Sequence, residues 1–141
     1  EFMGRHVHNF SRNQLVCSDL MKTRVAKVTQ DKRTLECVSR MNHLDIDSLV
    51  VIDKQGHYIG VLLVDTINER GRAGDSIEGL ITRDFPTVTE NTPAKAAFDI
   101  INSKQAGYVF VLKDDKKVAG MITKTSMSKA LASEVWGDNN E

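Results

Sequence analysis

The chain repeats its own sequence at an offset of 60 residues, and this repetition constrains the fold more than any other feature. Identical residues at this offset are Leu20 and Leu80, Val28-Thr29 and Val88-Thr89, Asn42 and Asn102, Val51 and Val111, and Gly60 and Gly120. Apolar positions agree over a longer stretch, and helical and strand periodicities follow in the same order in both copies. We therefore interpret the chain as a tandem duplication.

Each copy predicts the element order β-α-β-β-α, which is an α/β fold. In the first copy we expect strands over residues 24–29, 49–53 and 58–63, and a last helix over 64–70. In the second copy we expect strands over 85–89, 108–112 and 117–123, and a last helix over 124–136. Thr92 and Pro93 indicate the start of the middle helix, with the Thr92 hydroxyl as its cap. A copy of this size buries too little apolar surface to be stable alone, so the two copies are expected to share a core.

Composition excludes several classes of protein. The chain has 141 residues, with 19 Lys and Arg against 19 Asp and Glu, so its charge suggests no nucleic-acid partner. Its apolar runs are too short to span a bilayer, which predicts a soluble protein without membrane insertion. Two cysteines cannot form a disulfide framework, and we expect a reducing, cytoplasmic location.

We divide the chain at the repeat boundaries. The predicted segments are a cloning scar and N-terminal arm (1–10), repeat 1 (11–70), a linker (71–75), repeat 2 (76–136) and a C-terminal tail (137–141). His6 and His8 have a spacing that metals sometimes use, but without an acidic or thiol partner they are interpreted as tail residues.

Several stretches resemble the CBS domain pair, also called a Bateman module, over about residues 16–131. They are residues 19–21 (Asp-Leu-Met), the strand 50–53 that ends in Asp, and the Gly-initiated strands at 60–62 and 120–123. Stretches 47–53 and 103–111 are similar to the C-terminal CBS region of the ATPase subunit of bacterial osmoprotectant (glycine betaine, carnitine, choline) ABC transporters.

The resemblance implies a regulatory, non-catalytic module that binds adenosine-containing ligands in clefts between the repeats and forms a disk-like homodimer. For the osmolyte-transporter branch it implies cyclic di-AMP at the dimer interface, with inhibition of uptake, and no cofactor or metal. The implied partners are the ATPase domain and membrane subunits of the transporter, at the inner face of the plasma membrane. Two alternatives stay open: a module sensing another adenine nucleotide or ionic strength, and a purely structural dimerisation domain.

One departure from the family pattern bears on the ligand. Nucleotide-binding CBS repeats commonly carry Gly-x-x-Thr-x-x-Asp, whose Asp accepts hydrogen bonds from ribose hydroxyls. Here Gly120 and Thr123 are followed by Ser126, and Gly60 by Leu63 and Thr66, so both ribose carboxylates are missing. We expect AMP and ATP to bind much more weakly than cyclic di-AMP, whose 3′ oxygen is esterified.

Seven residues are candidates for binding the ligand. Tyr108 is expected to stack on adenine and Ser48 to donate to an adenine ring nitrogen. Thr123 and Lys124, at a helix start with unpaired backbone amides, are expected to meet a phosphodiester. The apolar walls are assigned to Ala26, Ile46 and Met121.

Each candidate has a structural alternative. Tyr108, Ala26, Ile46 and Met121 would otherwise be core residues, Lys124 a solvated lysine and Ser48 a strand cap. Two further pairs of residues are given no catalytic or binding role. Asp45 and Asp47 are interpreted as edging the turn into a strand, and Cys17 and Cys37 as buried thiols.

Overall fold

The computed structural model describes residues 15–104 and 106–137, so the N-terminal arm with His6 and His8 lies outside the described residues. The elements of the first copy are β1 (Lys27–Thr29), α2 (Thr34–Leu44), β2 (Ser48–Ile52), β3 (Tyr58–Leu63) and α3 (Val64–Arg70), preceded by a short helix α1 (Cys17–Leu20). Those of the second are β4 (Thr87–Thr89), α4 (Ala94–Lys104), β5 (Tyr108–Leu112), β6 (Val118–Thr123) and α5 (Lys124–Gly137), preceded by a 3₁₀ helix (Glu78–Leu80). The predicted β-α-β-β-α order is confirmed in both copies.

The strands form two three-stranded sheets, ordered β1-β2-β3 and β4-β5-β6. In each sheet the first two strands are parallel, β1 with β2 and β4 with β5. β2 and β3 are antiparallel, with a register irregularity at Val51 and Ile52. A parallel pair needs a crossover, and α2 and α4 supply it.

The turn between β2 and β3 is built around the side chain of Asp53. Its Oδ1 accepts hydrogen bonds from the N–H groups of Gln55 and His57, both at 2.9 Å. Gly56 has a φ of 89°, a left-handed conformation that glycine adopts without a steric penalty. The predicted strands at 49–53 and 58–63 are thus joined by a tight turn that Asp53 and Gly56 stabilise.

The role predicted for the Thr92 hydroxyl is wrong. Its Oγ1 accepts a hydrogen bond from the N–H of Thr89 at 3.0 Å and lies 2.9 Å from the Thr89 hydroxyl. This side chain therefore closes the turn between β4 and α4. The first turn of α4 bonds to Pro93 instead, whose carbonyl accepts from the N–H of Ala96 at 3.0 Å.

The described residues divide into two compact units whose limits cross the sequence repeats. One unit holds Arg24–Phe85 with Asp115–Val118, and the other holds the residues up to Thr23 with Pro86–Asp114 and those from Ala119 onward. Each unit has its own apolar cluster. The first contains Val28, Cys37, Met41, Leu49, Val51, Leu62, Ile67, Ile77 and Leu80. The second contains Cys17, Val88, Ala97, Ile101, Val109, Val111 and Ile122.

Each cluster is completed by a segment near the start of the other repeat. We call residues 16–23 the first strap and residues 76–83 the second strap. Cys17 of the first strap is fully buried among residues of the second repeat, and Ile77 of the second strap is fully buried among residues of the first. The expectation that the two copies share one core is therefore wrong: the described residues form two apolar clusters, and each cluster includes residues from the strap of the other copy.

Candidate functional site

Four of the seven candidate residues, Tyr108, Met121, Thr123 and Lys124, lie in one unit. Tyr108 begins β5, and Thr123 and Lys124 mark the junction of β6 with α5. The N–H of Lys124 donates to the carbonyl of Gly107 at 3.2 Å. This hydrogen bond brings the α5 start beside the residue that precedes Tyr108, so an aromatic ring and an ammonium-bearing side chain are attached to adjoining main-chain positions.

The Tyr108 side chain is half-buried and packs on Phe110, two residues further along the same strand face. The ring centroids are 5.6 Å apart and the ring planes meet at 80°, an edge-to-face arrangement. Phe110 is fully buried, so it offers Tyr108 a fixed support. An aromatic ring held in this way loses little conformational freedom when a base stacks on it.

Thr123 and Ser126 bond to each other around the first turn of α5. The N–H of Ser126 donates to Thr123 Oγ1 at 3.1 Å, the N–H of Thr123 donates to Ser126 Oγ at 3.3 Å, and the two hydroxyl oxygens lie 3.1 Å apart. The prediction of unpaired amides at this helix start is therefore wrong for Lys124 and Ser126, whose N–H groups both have partners. The Lys124 side chain is exposed at this helix start and can reach an anion in solvent.

Met121 is half-buried in the middle of β6, and its main chain is paired with Lys22 of the first strap. The Lys22 N–H donates to the Met121 carbonyl at 2.8 Å, and the Met121 N–H donates to the Lys22 carbonyl at 2.9 Å. This partner was not predicted, because Lys22 and Met121 are 99 positions apart in the sequence.

The other three candidates, Ala26, Ile46 and Ser48, lie in the other unit. Ala26 is half-buried against the first cluster, and its carbonyl accepts a hydrogen bond from Val50 of β2 at 3.0 Å. Ser48 is the first residue of β2 and is paired with Leu63 of β3. Ile46 is 38% exposed, so its side chain is available for contact.

The two groups of candidates occupy equivalent places in the two sheets. The N–H of Val64 donates to the carbonyl of Asp47 at 2.9 Å, as that of Lys124 does to Gly107. Ile46, Ser48 and Tyr108 therefore lie at the start of a middle strand in their own unit, and the start of the helix after the third strand is bonded close to them in each unit. Their roles in binding stay predictions.

Asp45 and Asp47 do not lie on one face of a strand. Asp45 ends α2 in the left-handed conformation, with a φ of 57°, and both residues precede β2. Their positions agree with the interpretation that they edge the turn into β2. Sequence reasoning also missed the left-handed Gly107, with a φ of 82°, which turns the chain into β5.

The two cysteine thiols have raised pKa values, and burial is the main cause. Cys17 and Cys37 are free and buried, as predicted, and burial raises the pKa of the Cys17 thiol to about 11. Desolvation likewise raises the pKa of Cys37. A thiol with a raised pKa is a poor nucleophile at neutral pH, which agrees with a packing role.

A cavity of about 420 Å³ lies in the unit that contains Arg24–Phe85, at the carboxyl ends of β1 and β2. It is lined by Thr29, Gln30, Asp31, Asp53, Lys54, Gln55, Ser76 and Glu78. Ala26 and Ser48 lie at the amino ends of the same strands, so this cavity is separate from the candidate residues. Within residues 15–104 and 106–137, no group of three or more His, Cys, Asp or Glu residues could hold a metal ion.

The geometry of each unit can be compared with known proteins. Residues 17–70 and residues 77–133 each match the model of the CBS domain. The chain belongs to the CBS domain family. It is a tandem CBS pair, as the duplicated β-α-β-β-α pattern indicated.

Curated relatives of this CBS pair include ATP-binding proteins of transporters. The choline transport ATP-binding protein OpuBA of Bacillus subtilis (strain 168) is 22% identical over 143 aligned positions, which cover 100% of this chain and 38% of that protein. The carnitine transport ATP-binding protein OpuCA of Listeria monocytogenes serotype 1/2a (strain 10403S) is 24% identical over 120 residues, covering 85% of this chain and 30% of that protein. The CBS pair thus spans about a third of the length of these relatives.

Among solved structures, the CBS domain pair of protein MJ0100 in complex with 5′-methylthioadenosine and S-adenosyl-L-methionine superposes with a TM-score of 0.72. It is 18% identical and covers 85% of this chain and 98% of that chain, a likeness that concerns the fold. In the described part of the CBS pair, no helix is both long enough and apolar enough to cross a bilayer.

Proposed function

We propose that this CBS pair is the regulatory module of an osmoprotectant-transporter ATPase subunit and that it binds cyclic di-AMP. The observation that carries the choice of ligand is the main-chain hydrogen bond from the Lys124 N–H to the Gly107 carbonyl, which brings the residue that bears the ammonium next to the start of the strand that begins with Tyr108. A base and a phosphodiester need those two groups side by side. The likeness to the choline and carnitine transport proteins supports the transporter context.

The state of Thr123 and Ser126 supports a ligand without a free ribose diol. Where the family pattern has a carboxylate, Ser126 has a hydroxyl that already bonds to Thr123. AMP or ATP would find no carboxylate to accept hydrogen bonds from both of its ribose hydroxyls at this position. In cyclic di-AMP the 3′ oxygen of each ribose is part of a phosphodiester, so less binding energy depends on that acceptor.

A second candidate ligand is a single adenosine compound, and the complex of the MJ0100 CBS pair with 5′-methylthioadenosine favours it. That compound has no phosphate, so the Lys124 ammonium would contribute little to its binding. Tyr108 would serve both ligands equally. The salt dependence of binding therefore separates them, because only the phosphodiester ligand forms an ionic contact.

The proposed mechanism of regulation is linkage. The module forms a homodimer of about twice 15.7 kDa and acts in the cytoplasm, through the ATPase domain and the membrane subunits of the transporter. A ligand that binds one arrangement of the dimer more tightly shifts the population toward that arrangement, by no more than its differential affinity. The favoured arrangement is the one that does not transport, and the module has no catalytic role.

The proposal is tested by calorimetric titration of the purified chain with cyclic di-AMP, AMP, ATP and 5′-methylthioadenosine at two salt concentrations. We expect cyclic di-AMP to bind most tightly and to lose affinity at high salt. Equal affinities for all four compounds would contradict the assignment of the ligand. Absence of heat and of any thermal shift, with a dimer in light scattering, would favour a structural dimerisation domain.

A further inference from the structure

The first strap is joined to the candidate strand β6 by a pair of main-chain hydrogen bonds. Lys22 and Met121 exchange these bonds at 2.8 and 2.9 Å. Two residues beyond Met121, the strand ends at Thr123, and the helix that carries the Lys124 ammonium begins. The strap is therefore paired with the strand that carries Met121 and Thr123 and leads directly into Lys124.

Gly120 shows how closely the strap lies on β6. A Cβ atom at Gly120 would overlap the carbonyl oxygen of Lys22 and would lie 2.9 Å from Sδ of Met21. Only a residue without a side chain leaves room for the strap at this point. The contact is therefore tight and specific, and a displaced strap would leave both the main chain and the flank of β6 exposed.

The other end of the first strap is anchored in the core of the same unit. Cys17 is fully buried in the second cluster, and its N–H donates to the carbonyl of Thr92 at 2.9 Å. The N–H of Ala94, which begins α4, donates to the carbonyl of Leu15 at 2.8 Å. Buried packing and main-chain bonds at both ends make the strap and β6 parts of one cooperative element.

The second strap provides a natural control. Thr82 and Val61 of β3 exchange the same pair of bonds at 2.8 and 2.9 Å, and the residue before each bridge, Met21 or Ile81, has an extended conformation. Val61 lies in the unit without Tyr108 and Lys124, and β3 carries none of the seven candidates. The Lys22–Met121 and Thr82–Val61 bridges therefore have the same hydrogen-bond geometry. They differ in that β6 carries candidate binding residues and β3 carries none.

We propose that the first strap is a coupling element, in which pairing of Lys22 with Met121 holds Met121, Thr123 and Lys124 in the arrangement that binds ligand. Binding and docking of the strap then favour each other, because linkage is reciprocal. The identity of the ligand rests on the proposed function, whereas the coupling of the strap to the end of β6 does not. In a longer chain, the strap would carry the occupancy of the site toward the residues that precede it.

The first experiment needs no ligand. Lys22→Pro removes the Lys22 N–H while the extended Met21 tolerates a following proline, and Thr82→Pro makes the same change in the second strap. Hydrogen exchange of the Thr123 and Lys124 amides, both hydrogen-bonded in the wild type, is then measured by NMR. In Lys22→Pro we expect these two amides to exchange about tenfold faster or more, which corresponds to a loss of local stability near 1.4 kcal/mol. In Thr82→Pro we expect no change in their exchange rates. Unchanged exchange in both variants would overturn the coupling.

The second experiment adds cyclic di-AMP to the same variants and to Lys22→Ala, which retains the main-chain N–H. Coupling predicts weaker binding in Lys22→Pro than in the wild type, Thr82→Pro and Lys22→Ala. An equal loss of affinity in Lys22→Ala would assign the effect to the Lys22 ammonium and would contradict the proposed coupling through the main chain of the strap. If the wild type binds no cyclic di-AMP, the proposed ligand is wrong, and the exchange data alone support or overturn the coupling.

Discussion

Thr123 and Ser126 cap one another at the start of α5. Each side-chain oxygen accepts a hydrogen bond from the main-chain N–H of the other residue, at 3.1 Å and 3.3 Å. This is the geometry of a capping box, in which residues three positions apart satisfy two N–H groups that a helix start leaves without partners. At the equivalent place in the first repeat, Leu63 precedes α3 and makes no side-chain cap.

The mutual cap predicts that Ser126→Ala destabilises the protein. The substitution leaves the Thr123 N–H without its acceptor, and loss of a helix cap costs about 0.5–2 kcal/mol. Denaturant unfolding of Ser126→Ala should show this decrease in the free energy of unfolding. Ser128→Ala is the matched control, because Ser128 is an exposed residue within the same helix. Equal stability of the two variants would show that the cap contributes nothing.

Ser126→Asp should raise the affinity for AMP. The new carboxylate stands where the family pattern has a ribose acceptor, and a hydrogen bond to a charged group is worth about 1.5–3 kcal/mol, so at least about a tenfold gain is expected. Calorimetric titration with AMP measures the gain. Ser126→Asn, which has a similar shape without the charge, should give a smaller one. No gain in either variant would mean that position 126 does not face the ribose.

Tyr108→Ala should abolish or strongly weaken binding of cyclic di-AMP. A base stacked on an aromatic ring is worth roughly 1–3 kcal/mol, which is about a 5- to 150-fold change in affinity per stack. Tyr108→Phe keeps the ring and its edge contact with Phe110, so it should bind nearly as well as the wild type. Circular dichroism checks that both variants fold. Normal binding by folded Tyr108→Ala would place the adenine elsewhere.

Tyr58→Phe should not destabilise the protein at neutral pH. The Tyr58 hydroxyl is buried and has no hydrogen-bond partner among the described residues, so its removal relieves a desolvated polar group. Burial, and then the nearby Asp84 carboxylate, raise the pKa of Tyr58 to about 12. The folded state therefore holds this proton more tightly than the unfolded state, whose pKa is about 10.

The stability linked to this proton is fully present below about pH 10 and is lost as the pH rises toward 12. Thermal unfolding between these pH values should show a smaller loss of stability for Tyr58→Phe than for the wild type. Parallel pH profiles of the two proteins would show that Tyr58 does not ionise differently in the folded state.

The sequence predicted the elements well where a local pattern determines them. β3, α3 and β5 have the predicted bounds, because alternation and periodicity act over a few residues. It did not predict the straps, because the pairing of Lys22 with Met121 depends on contacts 99 positions apart. The sequence also predicted correctly that Thr123 ends a strand. The prediction of unpaired amides at the following helix start was wrong, because hydrogen bonds between nearby side chains and the main chain cannot be read from apolar patterns.

The exchanged straps also limit how such a protein could have arisen from a single repeat. A single repeat made as its own chain would carry one strap that fits the other copy and a core with a gap where Cys17 or Ile77 belongs. Two such chains would complete their cores by trading straps, which is a domain swap. When the two repeats are joined in one chain, the exchange of straps becomes intramolecular and takes place at a high effective concentration. Expressed together, the two halves of this chain should therefore associate without a covalent link, each supplying the strap that the other lacks.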